Sequence, residues 1–244
     1  MRQTWILFRR ELACYFTTPL AYVFLVIFLL LSGVFTFYLG GWFERGQADL
    51  EPFFNYHPLL YLVLIPAVSM RLWAEERKTG TIELLLTLPV TLRAAVVGKF
   101  LAAWGFVALA LGLTFPLWIT VNWLGEPDNG VILAAYLGSL LMAGSYLAIG
   151  ECLSAATQNQ VIAFILTVVV CLLFVAAGSP VVLDAFYRWA PGWLVDGVAS
   201  LSFLTHFRDI SRGVLKMRDI IFFLLVSCGW LWACTVVIEN KKAG

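Results

Sequence analysis

Apolar residues gather into six long runs along this chain, at approximately 20–39, 59–74, 100–124, 131–149, 161–177 and 220–238. Runs of this length approach the roughly 20 residues that an α-helix needs to cross a bilayer, so the pattern predicts six membrane-spanning helices. Pro19 suits the start of the first helix, and Pro66 predicts a kink in the second. The aromatic stretch Phe53, Phe54 and Tyr56 before the second run suits a membrane interface. No small-residue cleavage site follows the first run, which is expected to stay in place as an anchor.

The polar breaks are as informative as the runs. Residues 75–92, between the second and third runs, begin with Glu75, Glu76, Arg77 and Lys78, after which Gly80 interrupts the chain. Thr81 can cap a new helix with Glu83 in its first turn, and Pro89 ends it about two turns later. A helix that short is not stable alone in water, so Leu84, Leu85, Leu86 and Leu88 call for a partner surface. At the amino terminus, Trp5, Phe8, Leu12 and Tyr15 recur at helical spacing beside Arg2, Arg9 and Arg10, which predicts an interfacial amphipathic helix over 1–18. The segment 179–218 alternates aromatic and charged residues. Leu194, Val198 and Leu201 share one helical face and Phe207, Ile210 and Val214 another, predicting short re-entrant or interfacial helices.

Composition agrees with this pattern. With 61% hydrophobic and 13% charged residues, the 244-residue chain reads as one all-α integral membrane domain spanning 1–244, with little left over for a soluble domain. Of its 16 basic residues, ten fall on one side if both termini are cytoplasmic: Arg2, Arg9, Arg10, Arg71, Arg77, Lys78, Arg93, Lys99, Lys241 and Lys242. The other six, Arg45, Arg188, Arg208, Arg212, Lys216 and Arg218, lie mostly in one long loop, where charge steers orientation less. The charge pattern gives no support to nucleic-acid binding. Cys14, Cys152, Cys171, Cys228 and Cys234 follow neither a disulfide framework nor a metal-ligand spacing, and His57 and His206 have no ligand cluster beside them. The pair Gly98-Lys99 lacks the flanking residues of a phosphate-binding loop, so this chain is expected to hold no ATP. Nor is there a polar catalytic constellation, and the chain reads as non-enzymatic.

Within the runs, Gly98 and Ala102, Ala108 and Gly112, Ala134 and Gly138, and Gly144 and Ala148 repeat at four-residue spacing, which lets helices approach closely. Glu151 follows the fourth run. A carboxylate at the membrane centre costs about 2.5–3.5 kcal/mol, so it is expected near the interface as an ion-pair or coupling residue; a proton or cation pathway is the alternative.

The stretch Glu-Glu-Arg-Lys-Thr-Gly-Thr-Ile-Glu-Leu-Leu-Leu-Thr-Leu-Pro-Val at 75–90 resembles the signature of type 2 ATP-binding-cassette (ABC-2) permeases. Residues 150–160, Gly-Glu-Cys-Leu-Ser-Ala-Ala-Thr-Gln-Asn-Gln, resemble the short cytoplasmic turn between the fourth and fifth spans of that family. Ser202 to His206 and Phe207, with Ser211, Arg212 and Gly213, resemble its approach to the last span. Together they look like the short six-span branch of gliding-motility and nitrous oxide reductase maturation permeases.

The resemblance implies a coupling helix at Thr81 to Leu88, approached through Glu75, Glu76, Arg77, Lys78 and Gly80, that rests in a groove on a separate ATPase. It further implies two ATPase subunits carrying the ATP and Mg, a second permease half that is either another copy or a related chain, and a multi-pass location in the cell inner membrane. His206, Phe207 and Arg212 are the candidate contacts for a periplasmic partner. The expected function is ATP-driven export. Force transmission to a periplasmic partner without substrate passage is one alternative, and a membrane-embedded enzyme or scaffold is another.

Overall fold

The computed structural model describes residues 2–82, 90–179, 182–184 and 191–242, and among these the chain is helical with no strand. Helix α1 (Arg2–Thr17) turns at Thr18 into α2 (Pro19–Val34), which runs on through a π-helical turn at Phe35–Leu39. Short helices α3 (Trp42–Arg45) and α4 (Glu51–Asn55) lead to α5 (His57–Ser69), which a turn joins to α6 (Ala74–Thr79). Then come α7 (Leu92–Gly112), α8 (Phe115–Leu124), α9 (Asn129–Ala156) and α10 (Gln160–Ala176). The last three are α11 (Gly192–Ser200), α12 (Phe203–Ser211) and α13 (Met217–Lys242).

Among the described residues, five stretches are long and apolar enough to cross a membrane: 21–39, 57–79, 92–124, 129–156 and 217–241. The fifth predicted span, α10, has 17 residues and so about 25 Å of length, somewhat under a 30 Å hydrocarbon core. Helix ends are fixed by side chains that occupy the free backbone groups. Thr91, Asp128, Asn159 and Ser202 each accept a backbone N–H at the start of α7, α9, α10 and α12.

Helix α9 is the hub, packing against α5, α7, α10, α12 and α13. Its small residues make this possible. A methyl group on Gly138 would lie 2.5 Å from Ile210 Cγ2, and one on Gly150 would lie 2.0 Å from Ser69 Oγ, so α12 and α5 approach as closely as the backbone allows. On Gly98 it would meet Leu7 Cβ at 2.9 Å, where α1 crosses α7. Thus Gly98, Gly138 and Gly144 are all used in packing within the chain, while Gly112 faces open space. In the first and last spans only 22% and 17% of the most apolar window is buried, against 72% for 57–79 and for 129–156. The outer faces of α2 and α13 therefore need lipid or another membrane chain to cover them.

Several boundaries differ from the sequence reading. In the second span α5 is helical through Pro66, and a non-helical break follows at 70–73. The third begins at Leu92 rather than residue 100, because Lys99 is neutralised inside the protein. The fourth continues to Ala156, so 150–156 are helical and the turn shrinks to 157–159. Helix α12 packs into the bundle. Its face of Phe203, His206, Phe207 and Ile210 is buried, whereas Val214, expected on that face, is exposed beyond the helix end.

Candidate coupling site

The break between α5 and α6 is held open by one hydroxyl. Ser154 Oγ of α9 accepts the backbone N–H groups of Trp73 and Ala74, each at 3.1 Å, and donates to the Met70 carbonyl at 2.8 Å. It thereby satisfies groups that the end of one helix and the start of the next leave unpaired. The redirected chain carries α6 outward with its charges on two faces.

One face turns into the protein. Lys99, only 3% exposed, donates from Nζ to Glu76 Oε1 at 2.7 Å and lies 3.3 Å from Glu11 Oε2 on α1. Its ammonium also sits 5.3 Å from the centre of the Trp73 ring, within cation–π range. Trp73 in turn donates from Nε1 to Glu151 Oε1 at 3.0 Å. A continuous polar chain therefore runs from α1 through α7 and the α5–α6 turn to α9. Arg71 adds a paired contact to Glu75, from Nε to Oε2 at 2.9 Å and from Nη2 to Oε1 at 3.2 Å. Such a forked pair fixes geometry as well as charge.

The other face is exposed among the described residues. Lys78, Gly80 and Thr81 are exposed, and Gly80 at φ 73° is a left-handed residue that closes α6 and changes the chain direction. Thr81 and Ile82 are already helical again. Glu83, Leu84, Leu85 and Leu88 lie outside the described residues. Arg77 is partly buried, and its Nε has no hydrogen-bond partner among the described residues.

The residues expected to act together thus divide. Glu75 and Glu76 are engaged within the chain by their carboxylates, and Lys78, Gly80 and Thr81 are exposed. Glu151 is fully buried against Trp73, makes no salt bridge among the described residues, and leaves Oε2 without a partner. His206 and Phe207 are also turned inward. The His206 ring donates from Nδ1 to Asp219 Oδ1 at 2.5 Å and approaches the Ser200 carbonyl through Nε2 at 2.9 Å, and Phe207 packs beside Gly138. Only Arg212 of that group is exposed. Sequence reasoning missed Glu11, Trp73 and Ser154 as parts of the site. Lys99 carried the usable signal, since a cation seven residues inside a long apolar helix requires a counter-charge.

These contacts gather the amino-terminal helix, α6, the start of α7 and the ends of α9 and α13 at one end of the bundle. Lys241 Nζ completes the cluster by donating to the Ala156 carbonyl. Both described termini are therefore on the same side. A family model described as ABC-2 family transporter protein matches residues 23–237. The chain belongs to the ABC-2 transporter family. It is accordingly a multi-pass membrane protein and a permease subunit of an ABC transporter, a type of subunit that works with an ABC ATPase. Among curated proteins none matches it. Within this ABC-2 permease, the terminal end described above is the region that presents an exposed turn beside an internally braced charged helix.

Proposed function

We propose that this ABC-2 permease is the six-span half of an ABC exporter, with both termini in the cytoplasm of a cell whose inner membrane it crosses. The exposed turn at Lys78, Gly80 and Thr81, continued by Leu84, Leu85 and Leu88, docks on a separate ATPase. Two such ATPases bind ATP and Mg and supply the catalysis, and two permease halves face each other across the path. The observation that carries this reading is Lys99, held between Glu11 and Glu76. It makes α1, α6 and α7 one charged unit, so that a push on the turn after Gly80 moves the start of the third span together with the amino-terminal helix. Force enters at the turn and leaves through helices.

The mechanism asks little of any single surface ion pair, since exposed pairs contribute at most about 1 kcal/mol. It asks instead that the exposed turn fit its groove and that the internal brace hold. Co-expression with an ABC ATPase from the same locus, followed by affinity capture in mild detergent, tests it. The intact chain is expected to retain the ATPase, and Lys78→Glu combined with Leu85→Asp to lose it while still inserting in the membrane. Full retention by the double variant would overturn the docking assignment.

A further inference from the structure

A cavity of about 490 Å³ opens where α1 turns into α2, between those two helices and the α5–α6 turn. Its two ends differ in chemistry. At the end nearer the termini it is lined by Arg10, Glu11, Arg71, Glu75, Glu76 and Lys99. At the other it is lined by Phe24, Ile27, Leu64, Ala67 and Val68. Between them stands Tyr15, stacked on Phe106 at 5.0 Å, whose hydroxyl makes no hydrogen bond among the described residues. The exposed side chains Val23 and Ile27 form the flank of the apolar end on the uncovered face of α2.

A charged end, a hydroxyl in the middle and an apolar end open toward lipid match the order of groups in a membrane phospholipid at this end of the bundle. The charges go further and select the headgroup. Three cations, Arg10, Arg71 and Lys99, face three carboxylates, Glu11, Glu75 and Glu76, so a purely anionic headgroup gains no net attraction. A headgroup with both a phosphate and an ammonium meets both signs. Arg10 uses one guanidinium N–H on Glu11, and Arg71 uses two on Glu75, which leaves further donors on each for phosphate. Glu76 Oε2 is buried and has no hydrogen-bond partner among the described residues, and it is an acceptor for an ammonium. We propose that this cavity binds one phospholipid with an amine-bearing zwitterionic headgroup, its phosphate on Arg10 and Arg71, its ammonium on Glu76, and one acyl chain between α2 and α5.

The test is native mass spectrometry of the full-length chain, equilibrated in detergent with equal amounts of a phosphatidylethanolamine and a phosphatidylglycerol of the same acyl chains. One phosphatidylethanolamine per chain is expected to survive activation that strips other lipids. Arg71→Gln with Glu75→Gln, at a part-exposed pair, should weaken that retention by at least about tenfold, and Ala67→Trp should abolish it by filling the apolar end. Thermal melting by circular dichroism identifies any variant that fails to fold, and the Arg71–Glu75 pair alone then decides. Equal retention of both lipids, preference for phosphatidylglycerol, no retained lipid, or retention unchanged in the folded variants would each overturn the assignment. None of these outcomes depends on the ATPase, so the test stands apart from the docking reading.

Discussion

Lys99 is the residue on which most of the terminal end depends. An ammonium at 3% exposure is tolerable only because Glu11, Glu76 and the face of Trp73 surround it. Replacing it with Met leaves Glu76 without a counter-charge and Glu11 with Arg10 alone, which should cost about 3–5 kcal/mol, read as a lower melting temperature in detergent. Adding Glu11→Gln and Glu76→Gln removes the stranded charges and should recover much of the loss. A triple variant no more stable than Lys99→Met would mean that the charges are not what holds this corner. Ser154 presents a simpler case. Its hydroxyl serves two N–H groups and one carbonyl at the α5–α6 break, so Ser154→Ala should destabilise by about 1–3 kcal/mol, whereas Ser154→Cys, which retains a weak donor, should lose less.

At the scale of elements, the apolar runs located the spans but not their ends. Hydropathy stops at a charge, and the helix does not when the charge is neutralised by another part of the chain; Lys99 is why the third span starts eight residues earlier than its apolar run. The last turns of α9 were hidden by Glu151, which is buried with a hydrogen bond from Trp73 of the α5–α6 turn. Residues 75–80 were readable because their signals are local: a run of charge, then a glycine that takes the left-handed conformation. What was not readable was which of those charges turn inward, since that depends on Glu11 and Lys99, distant in sequence. His206 and Phe207 show the same limit. The spacing of Phe207 with Ile210 and Val214 marked an amphipathic helix, but nothing local said that its apolar face, His206 included, is turned into the protein and wedged against Gly138. Gly138→Leu should therefore push α12 off α9, with a loss of about 1–3 kcal/mol and new accessibility of a cysteine introduced in place of Phe207. A Gly138→Leu protein that melts unchanged and keeps that cysteine shielded would count against this packing.

At the scale of the whole molecule, the helices form a core around α9 with two exposed apolar flanks, α2 and α13, as expected for half of a larger membrane assembly. Ion pairs occur at both ends, and those around Lys99 lie at the end that carries both termini. There, an internally braced charged helix leads to a turn that is exposed among the described residues. On the proposed function, that turn is where the ATPase acts. Site-specific photo-crosslinking of the co-expressed complex tests this most directly, with a benzophenone amino acid placed at Thr81 or, at the opposite end, at Arg212. An adduct with the ATPase from Thr81 and none from Arg212 is the predicted result, and an ATPase adduct from Arg212, or its absence from Thr81 in an assembled complex, would contradict it.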